Sequence, residues 1–183
     1  PTRQLIQETV AVLENVAEVP LRAVAEMNLG GTLVWTGRFP EAIKTFERTL
    51  PILRSLGYRH GVSFGSMGLG VACLLNGEYA RVEGFLQNII LETEQWGFPR
   101  EVAINLSTLG LAVLAQGRTA QALRYLQESV SRYRQMQFAG ELGWALGGLA
   151  LVQEADGQTK NACDTLVEAL HIAAKTRSMF AMV

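Results

Sequence analysis

The segment Leu69–Tyr79, LGVACLLNGEY, ends one predicted helix, turns at Gly77 and begins the next. Its leucine–glycine pair and its turn glycine recur on both sides at a fixed spacing of 40 residues, with alanine replacing the first glycine in the last copy. The repeated leucines and turn glycines are Leu29, Leu69, Leu109, Leu149, Gly37, Gly77, Gly117 and Gly157. A constant period of this length indicates a solenoid of stacked helical repeats.

The period divides the chain into units of two helices, which we name helix A and helix B. It predicts four whole repeats at 21–60, 61–100, 101–140 and 141–180, preceded in 1–18 by the second helix of a truncated repeat. Ile6, Val10 and Leu13 form the apolar stripe of that first helix, at the spacing of an amphipathic helix. We therefore expect one all-α domain over 1–183, excised from a longer protein.

Glycine and proline mark specific places in this pattern. Gly30, Gly70 and Gly110 lie inside helix A, where each lowers stability by about 0.5 to 1 kcal/mol relative to alanine. Packing must offset this loss, so the glycines predict a close approach of helix A to helix B. A phosphate-binding glycine loop is disfavoured, because it would need a preceding strand. Pro51 lies well inside the first helix B and predicts a kink there.

Composition narrows the classes of function. The 183 residues are 49% hydrophobic and 18% charged, with 16 basic and 17 acidic side chains. A net charge of −1 provides no general attraction for nucleic acid or an anionic membrane. No uncharged run reaches the roughly 20 residues of a membrane span, and two distant cysteines favour a reducing compartment. We expect a cytoplasmic protein that contacts neither nucleic acid nor membrane.

The first repeat resembles the tetratricopeptide repeat in residue type and spacing. The residues that carry the resemblance are Leu29, Gly30, Leu33, Gly37, Phe39, Ala42, Ile43, Phe46 and Leu50. The chain departs from the family pattern in its 40-residue period, in Glu26 at a tryptophan position and in Val82 at an alanine position. The long period is similar to that of spindle-orientation scaffolds and of sensor segments in large bacterial regulators. The resemblance implies a right-handed superhelical solenoid of antiparallel helix pairs that binds proteins.

In such solenoids the concave groove is lined by helix A. The family template assigns to this groove the residues Met27, Val34, Trp35, Phe64, Met67, Val71, Leu74, Ile104, Leu111, Leu114, Trp144 and Leu151, with Val24, Gly31, Leu75, Ser107 and Gly147 beside them. This lining is mostly apolar and lacks the basic residues that clamp a terminal carboxylate. It favours a bound protein segment that is apolar or amphipathic, in a regulatory or sensor part of a larger bacterial protein.

Two alternatives fit the same residues. The apolar lining could pack against neighbouring helices in a tightly wound superhelix and leave no room for a partner. The ends of the solenoid could instead pair with a second copy and make the chain a homo-oligomeric scaffold.

Residues capable of chemistry are few and scattered. His60 and His171 lie in different repeats, too far apart in a four-repeat stack to share a metal, and both are expected on the surface. Cys73 and Cys163 fall on apolar positions and are expected to be buried without a neighbouring base. Arg124, Tyr125, Arg132, Tyr133 and Arg134 form a basic aromatic cluster, which Glu128 interrupts. The sequence therefore predicts a non-catalytic protein without cofactor or metal.

Overall fold

The computed structural model describes Gln4, Ile6, Glu8, Thr9, Ala11, Val12 and residues 18–176. Residues 18–176 form eight α-helices and no strand. They are α1 (Val19–Trp35), α2 (Phe39–Ser55), α3 (Arg59–Leu75), α4 (Tyr79–Gln95), α5 (Pro99–Ala115), α6 (Thr119–Gln135), α7 (Ala139–Ala155) and α8 (Thr159–Thr176). Helices A and B alternate as predicted, so the all-α class is confirmed. The right-handed superhelix stays a prediction.

The chain divides into two compact units, Pro1–Glu78 and Tyr79–Val183. The first contains α1 to α3, and the second contains α4 to α8. The interpretation of 1–183 as one domain stays a prediction. Of the helix predicted within 1–18, the described positions from Gln4 to Val12 are helical and Ile6 is buried, whereas Val10 and Leu13 lie outside the described residues.

Three-residue links with a left-handed residue end the helices. Gly37 has a φ of 74°, donates its N–H to Val34 and is followed by Arg38, whose N–H is donated to Leu33. This is the Schellman arrangement, which satisfies carbonyls that the helix end leaves unpaired. Gln137 occupies the same place after α6 with a φ of 55°, the only positive φ of a non-glycine residue among those described.

Phe46 is the centre of the packing in the first unit. Its side chain is fully buried in α2, between Gly30 of α1 and Gly68 of α3. A Cβ atom at either glycine would lie 2.8 Å or less from the ring, at 2.4 Å from Cζ for Gly68. Glycine thus lets both A helices reach the ring, which confirms the close approach predicted at Gly30. Gly70 is buried as well.

Leu126 has the corresponding place in the second unit. It is fully buried in α6, and a Cβ at Gly110 of α5 or at Gly148 of α7 would lie 2.8 Å from its side chain. Tyr133, two helical turns further along α6, is also fully buried, and its hydroxyl has no hydrogen-bond partner among the described residues. Burial raises the pKa of this phenol. The neutral phenol is therefore the form present at physiological pH.

Pro51 lies inside α2 and is exposed. The helix continues through it to Ser55, so the proline does not break the helix. The kink predicted at this position stays a prediction.

Ion pairs connect the B helices of the second unit. Arg132 of α6 contacts Glu94 of α4 at 3.0 Å, and Arg134 contacts Glu168 of α8 at 2.8 Å. Arg118, just before α6, makes two hydrogen bonds to Glu83 of α4. The pKa of Glu83 lies below its usual value, chiefly because Arg118 donates these hydrogen bonds to the carboxylate, against the opposing effect of desolvation.

Candidate partner-binding faces

The first unit presents an apolar surface along α1 and α3, two helices that contact each other. Gly31, Val34 and Trp35 on α1 correspond through the 40-residue period to Val71, Leu74 and Leu75 on α3. Phe64 and Met67 precede Val71 by seven and four residues, so the residues of each helix lie on one side of it. We call this surface the α1–α3 face. It consists of Gly31, Val34, Trp35, Phe64, Met67, Val71, Leu74 and Leu75.

Aromatic and aliphatic side chains of the α1–α3 face are open to solvent. Trp35 is 71% exposed, Leu75 47% and Phe64 36%. Val34, Met67, Val71 and Leu74 are half-buried. A Cβ built at Gly31 would meet no atom within 4 Å, so the helix surface at this glycine is open.

Met27 does not belong to this exposed set. Its side chain is only 6% exposed, and its Cγ lies 3.7 Å from the Cβ position of Gly65 on α3. The expectation that Met27 lines an open groove therefore needs correction, because the missing side chain at Gly65 lets α3 cover it. The small residue at position 65 was the signal in the sequence for this close contact.

The corresponding α5–α7 face lies in the second unit. Ile104, Leu111, Leu114, Trp144 and Gly147 are half-buried, and Leu151 is 62% exposed. Ser107 is fully buried and forms a 2.7 Å hydrogen bond to Ser129 of α6, so it belongs to the packing between α5 and α6 and not to the face. Of the two faces, the α1–α3 face exposes the larger aromatic surface.

Both faces lack charge. No Asp, Glu, Lys or Arg occurs in 27–37, 61–77, 102–117 or 142–153. Glu26, which precedes Met27 on α1, is 9% exposed and makes contacts of 3.6 Å to Arg22 and 3.1 Å to Arg48. Its charge is therefore compensated within the protein. An uncharged partner surface would therefore meet no unpaired charge on either face.

The described residues show no group of three or more His, Cys, Asp or Glu side chains that could hold a metal ion. His60 and His171 are exposed and Cys73 is fully buried, as expected. Cys163 is exposed, contrary to the expectation of burial, because it lies on a side of α8 that faces solvent. Within residues 18–176, no helix is long and apolar enough to span a membrane.

The basic aromatic cluster on α6 is engaged within the protein. Arg132 and Arg134 form the ion pairs described above, and Arg132 also contacts Glu128 at 2.9 Å. Tyr133 is buried and Tyr125 is half-buried. These rings and guanidinium groups do not form the open stacking platform that single-stranded nucleic acid would use.

Comparison with known proteins supports this architecture. A tetratricopeptide repeat family model matches residues 106–136. The structure of a Rap protein complexed with competence and sporulation factor has a TM-score of 0.79 at 12% identity, covering 88% of this chain and 45% of that chain. Aspartyl phosphate phosphatase F from Bacillus subtilis gives 0.79 at 12% identity, covering 91% and 44%. The TPR-like repeats of a putative kinesin light chain from Podosopora anserina give 0.72 at 18%, covering 96% and 88%.

A search of curated protein sequences finds no match. The family match and the structural likeness confirm the resemblance to tetratricopeptide-type repeat proteins. The likeness to the solved structures concerns the fold alone, since all three identities are low. The chain spans less than half of the first two of these structures.

Proposed function

We propose that this tetratricopeptide-type repeat chain is a non-catalytic interaction module that binds an apolar or amphipathic protein segment on its A helices. The observation that carries the proposal is the α1–α3 face, where Trp35, Phe64 and Leu75 are exposed on an uncharged surface. We propose the same kind of binding for the second unit, on the α5–α7 face that includes Leu111 and Trp144.

The physical case rests on the kind of residue that the α1–α3 face exposes. Tryptophan and phenylalanine remove large apolar areas from water when a partner covers them, and tryptophan is enriched among the residues that dominate binding energies. Met67 has a flexible side chain that adapts to different partner shapes. An amphipathic helix, with apolar anchors at i, i+3 or i+4 and i+7, matches a surface built from two neighbouring helices.

Similar proteins support a protein partner. One of the similar structures is a Rap protein complexed with competence and sporulation factor, and another contains TPR-like repeats of a kinesin light chain. By this analogy we propose a regulatory or sensor role in a larger bacterial protein of the cytoplasm. Because the analogy rests on fold alone, the role is tested by measuring binding.

Selection of peptides against the full chain tests the proposal. A phage library of random peptides should yield binders with apolar residues at helical spacing, whose affinity is then measured by fluorescence anisotropy. Trp35→Ala combined with Leu75→Glu should weaken these binders at least tenfold, which corresponds to about 1.4 kcal/mol. Both side chains are substantially exposed, so circular dichroism should show unchanged helix content.

Leu56→Glu is the matched control. Leu56 is 45% exposed in the same unit but lies in the link between α2 and α3, off the α1–α3 face. Its replacement should leave the affinity unchanged. The proposal fails if no peptide is selected, or if the control weakens binding as much as the double variant does.

A further inference from the structure

One side of α8 exposes a continuous apolar stripe in the second unit. Leu166, Val167 and Leu170 are 47%, 51% and 61% exposed, and Cys163 and Ala174 on the same side are exposed as well. Relative to Cys163 these residues lie at i+3, i+4, i+7 and i+11, the spacing of a helix surface that packs on another helix. We call these five residues the α8 stripe.

The 40-residue period identifies which part of the stripe ordinary repeat packing would cover. Leu126 and Val130 on α6 correspond to Leu166 and Leu170, and they are only 0% and 2% exposed. Leu126 is approached from both sides, because the Cβ positions of Gly110 on α5 and of Gly148 on α7 each lie 2.8 Å from its side chain. The same surface on α8 has no such cover among the described residues.

Val167 and Ala174 distinguish α8 from the other B helices. At the position of Val167, α2, α4 and α6 carry Glu47, Gln87 and Gln127; at the position of Ala174 they carry Arg54, Glu94 and Arg134. All six of these residues are polar and exposed. Packing within the repeat therefore does not require an apolar residue at either position. On α8 the two replacements widen the apolar surface beyond the part that a following helix A would cover.

We infer that two copies of the chain associate through the α8 stripe, with the two α8 helices antiparallel about a twofold axis. A twofold interface uses the same patch on both copies, and a stripe centred on Val167 faces itself when one helix is reversed. The reversal brings Asp164 of one copy towards His171 and Lys175 of the second copy, since all three are exposed on the same flank of the stripe. The carboxylate of Asp164 then faces the ammonium group of Lys175 and the imidazole of His171.

The exposed area sets the strength of this association. The three large side chains expose on the order of 300 Å² of apolar surface in each copy, about the size of the largest apolar patch on an ordinary monomer, which is often a functional surface. The two copies together would bury about 600 Å² of apolar surface from these side chains, which is less than the roughly 1,200 Å² of the smaller specific interfaces, so the polar flanks must add to the contact. The dimer should therefore be weak and dependent on concentration, so that dilution separates the copies.

Sedimentation velocity of the full chain over a hundredfold range of concentration tests the inference. The mean mass should rise from that of one 20.0 kDa chain towards twice that value. Val167→Gln, which introduces the residue type found on α4 and α6, should keep the mass at one chain with unchanged circular dichroism. Leu91→Gln is the control, because Leu91 is 63% exposed on α4 of the same unit and lies outside the stripe; it should still dimerise.

A disulfide test reports the orientation of the two helices. In a Cys163→Ser background, Val167→Cys places a thiol near the twofold axis and should form a covalent dimer under mild oxidation, whereas the parent Cys163 should not. A constant mass of one chain at every concentration would overturn the inference. So would loss of association in Leu91→Gln but not in Val167→Gln, or a covalent dimer through Cys163 alone. None of these variants alters the α1–α3 face, so the outcome is independent of the proposed function.

Discussion

The clamp of two glycines around Phe46 predicts a large difference between two glycine-to-alanine variants in the first unit. Gly68→Ala places a Cβ 2.4 Å from Cζ, 2.9 Å from Cε1 and 3.0 Å from Cε2 of the Phe46 ring. The ring already packs closely against α1 where Gly30 has no side chain, 2.8 Å from the Cβ position there, so α1 leaves it little room to move away from a Cβ at residue 68. Gly31→Ala, on α1, meets nothing within 4 Å and is the matched control.

The magnitudes follow from two opposing effects. Alanine gains about 0.5 to 1 kcal/mol over glycine inside a helix, and it does so in both variants. Overpacking a filled core costs about 1 to 3 kcal/mol, and it applies only at Gly68. We expect Gly31→Ala to raise the free energy of unfolding by about 0.5 to 1 kcal/mol and Gly68→Ala to lower it by about 0.5 to 2 kcal/mol. The difference between the variants isolates the overpacking cost, since the helix preference cancels.

Urea unfolding followed by far-ultraviolet circular dichroism measures both free energies. A second substitution identifies the cause: Phe46→Leu removes the ring atoms that the new Cβ meets. Its cost in the Gly68→Ala background should be smaller than in the parent by about 1 kcal/mol or more, as a double-mutant cycle would show. Equal stability of Gly68→Ala and Gly31→Ala, or strict additivity in the cycle, would refute the clamp.

Three further changes test other features. Gln137→Gly should stabilise the chain by about 0.5 to 1 kcal/mol in urea unfolding, because residue 137 has a φ of 55° that glycine adopts without strain; a loss of stability would contradict this. Tyr133→Phe should stabilise by about 1 kcal/mol in the same assay, because it removes a buried hydroxyl without a partner among the described residues; destabilisation would show that the hydroxyl is bonded. Glu83→Gln should reduce thermal stability at neutral pH, where the carboxylate accepts hydrogen bonds from Arg118. The pKa of Glu83 is lowered in the folded protein, so the stability that the parent has over Glu83→Gln should be fully present above the unfolded pKa of about 4.3. It should be lost as pH falls through the folded pKa. A stability difference that persists in strong acid would argue against the contact between Glu83 and Arg118.

Much of the fold could be predicted from local patterns. The position of Gly37 marks the end of α1 because a left-handed residue there closes the Schellman hydrogen bonds, and the same argument applies wherever the period returns. Gly30 and Gly110 indicated close helix contacts, and both contacts are present. The candidate faces were predicted less completely. Trp35 and Leu151 are exposed, as a binding surface requires, whereas Met27 is covered.

Periodicity and turn glycines determined the class of fold and the register of each helix, because hydrogen bonding at a helix end and spacing along a helix are local properties of the chain. Only the tertiary structure decided which apolar positions are covered. Leu126 and Leu166 occupy the same place in the repeat, yet the first is fully buried and the second is 47% exposed. The physical reason is that burial depends on the neighbouring helices: Leu126 is approached from both α5 and α7, whereas the described residues include no helix after α8 that could cover Leu166 from the second side.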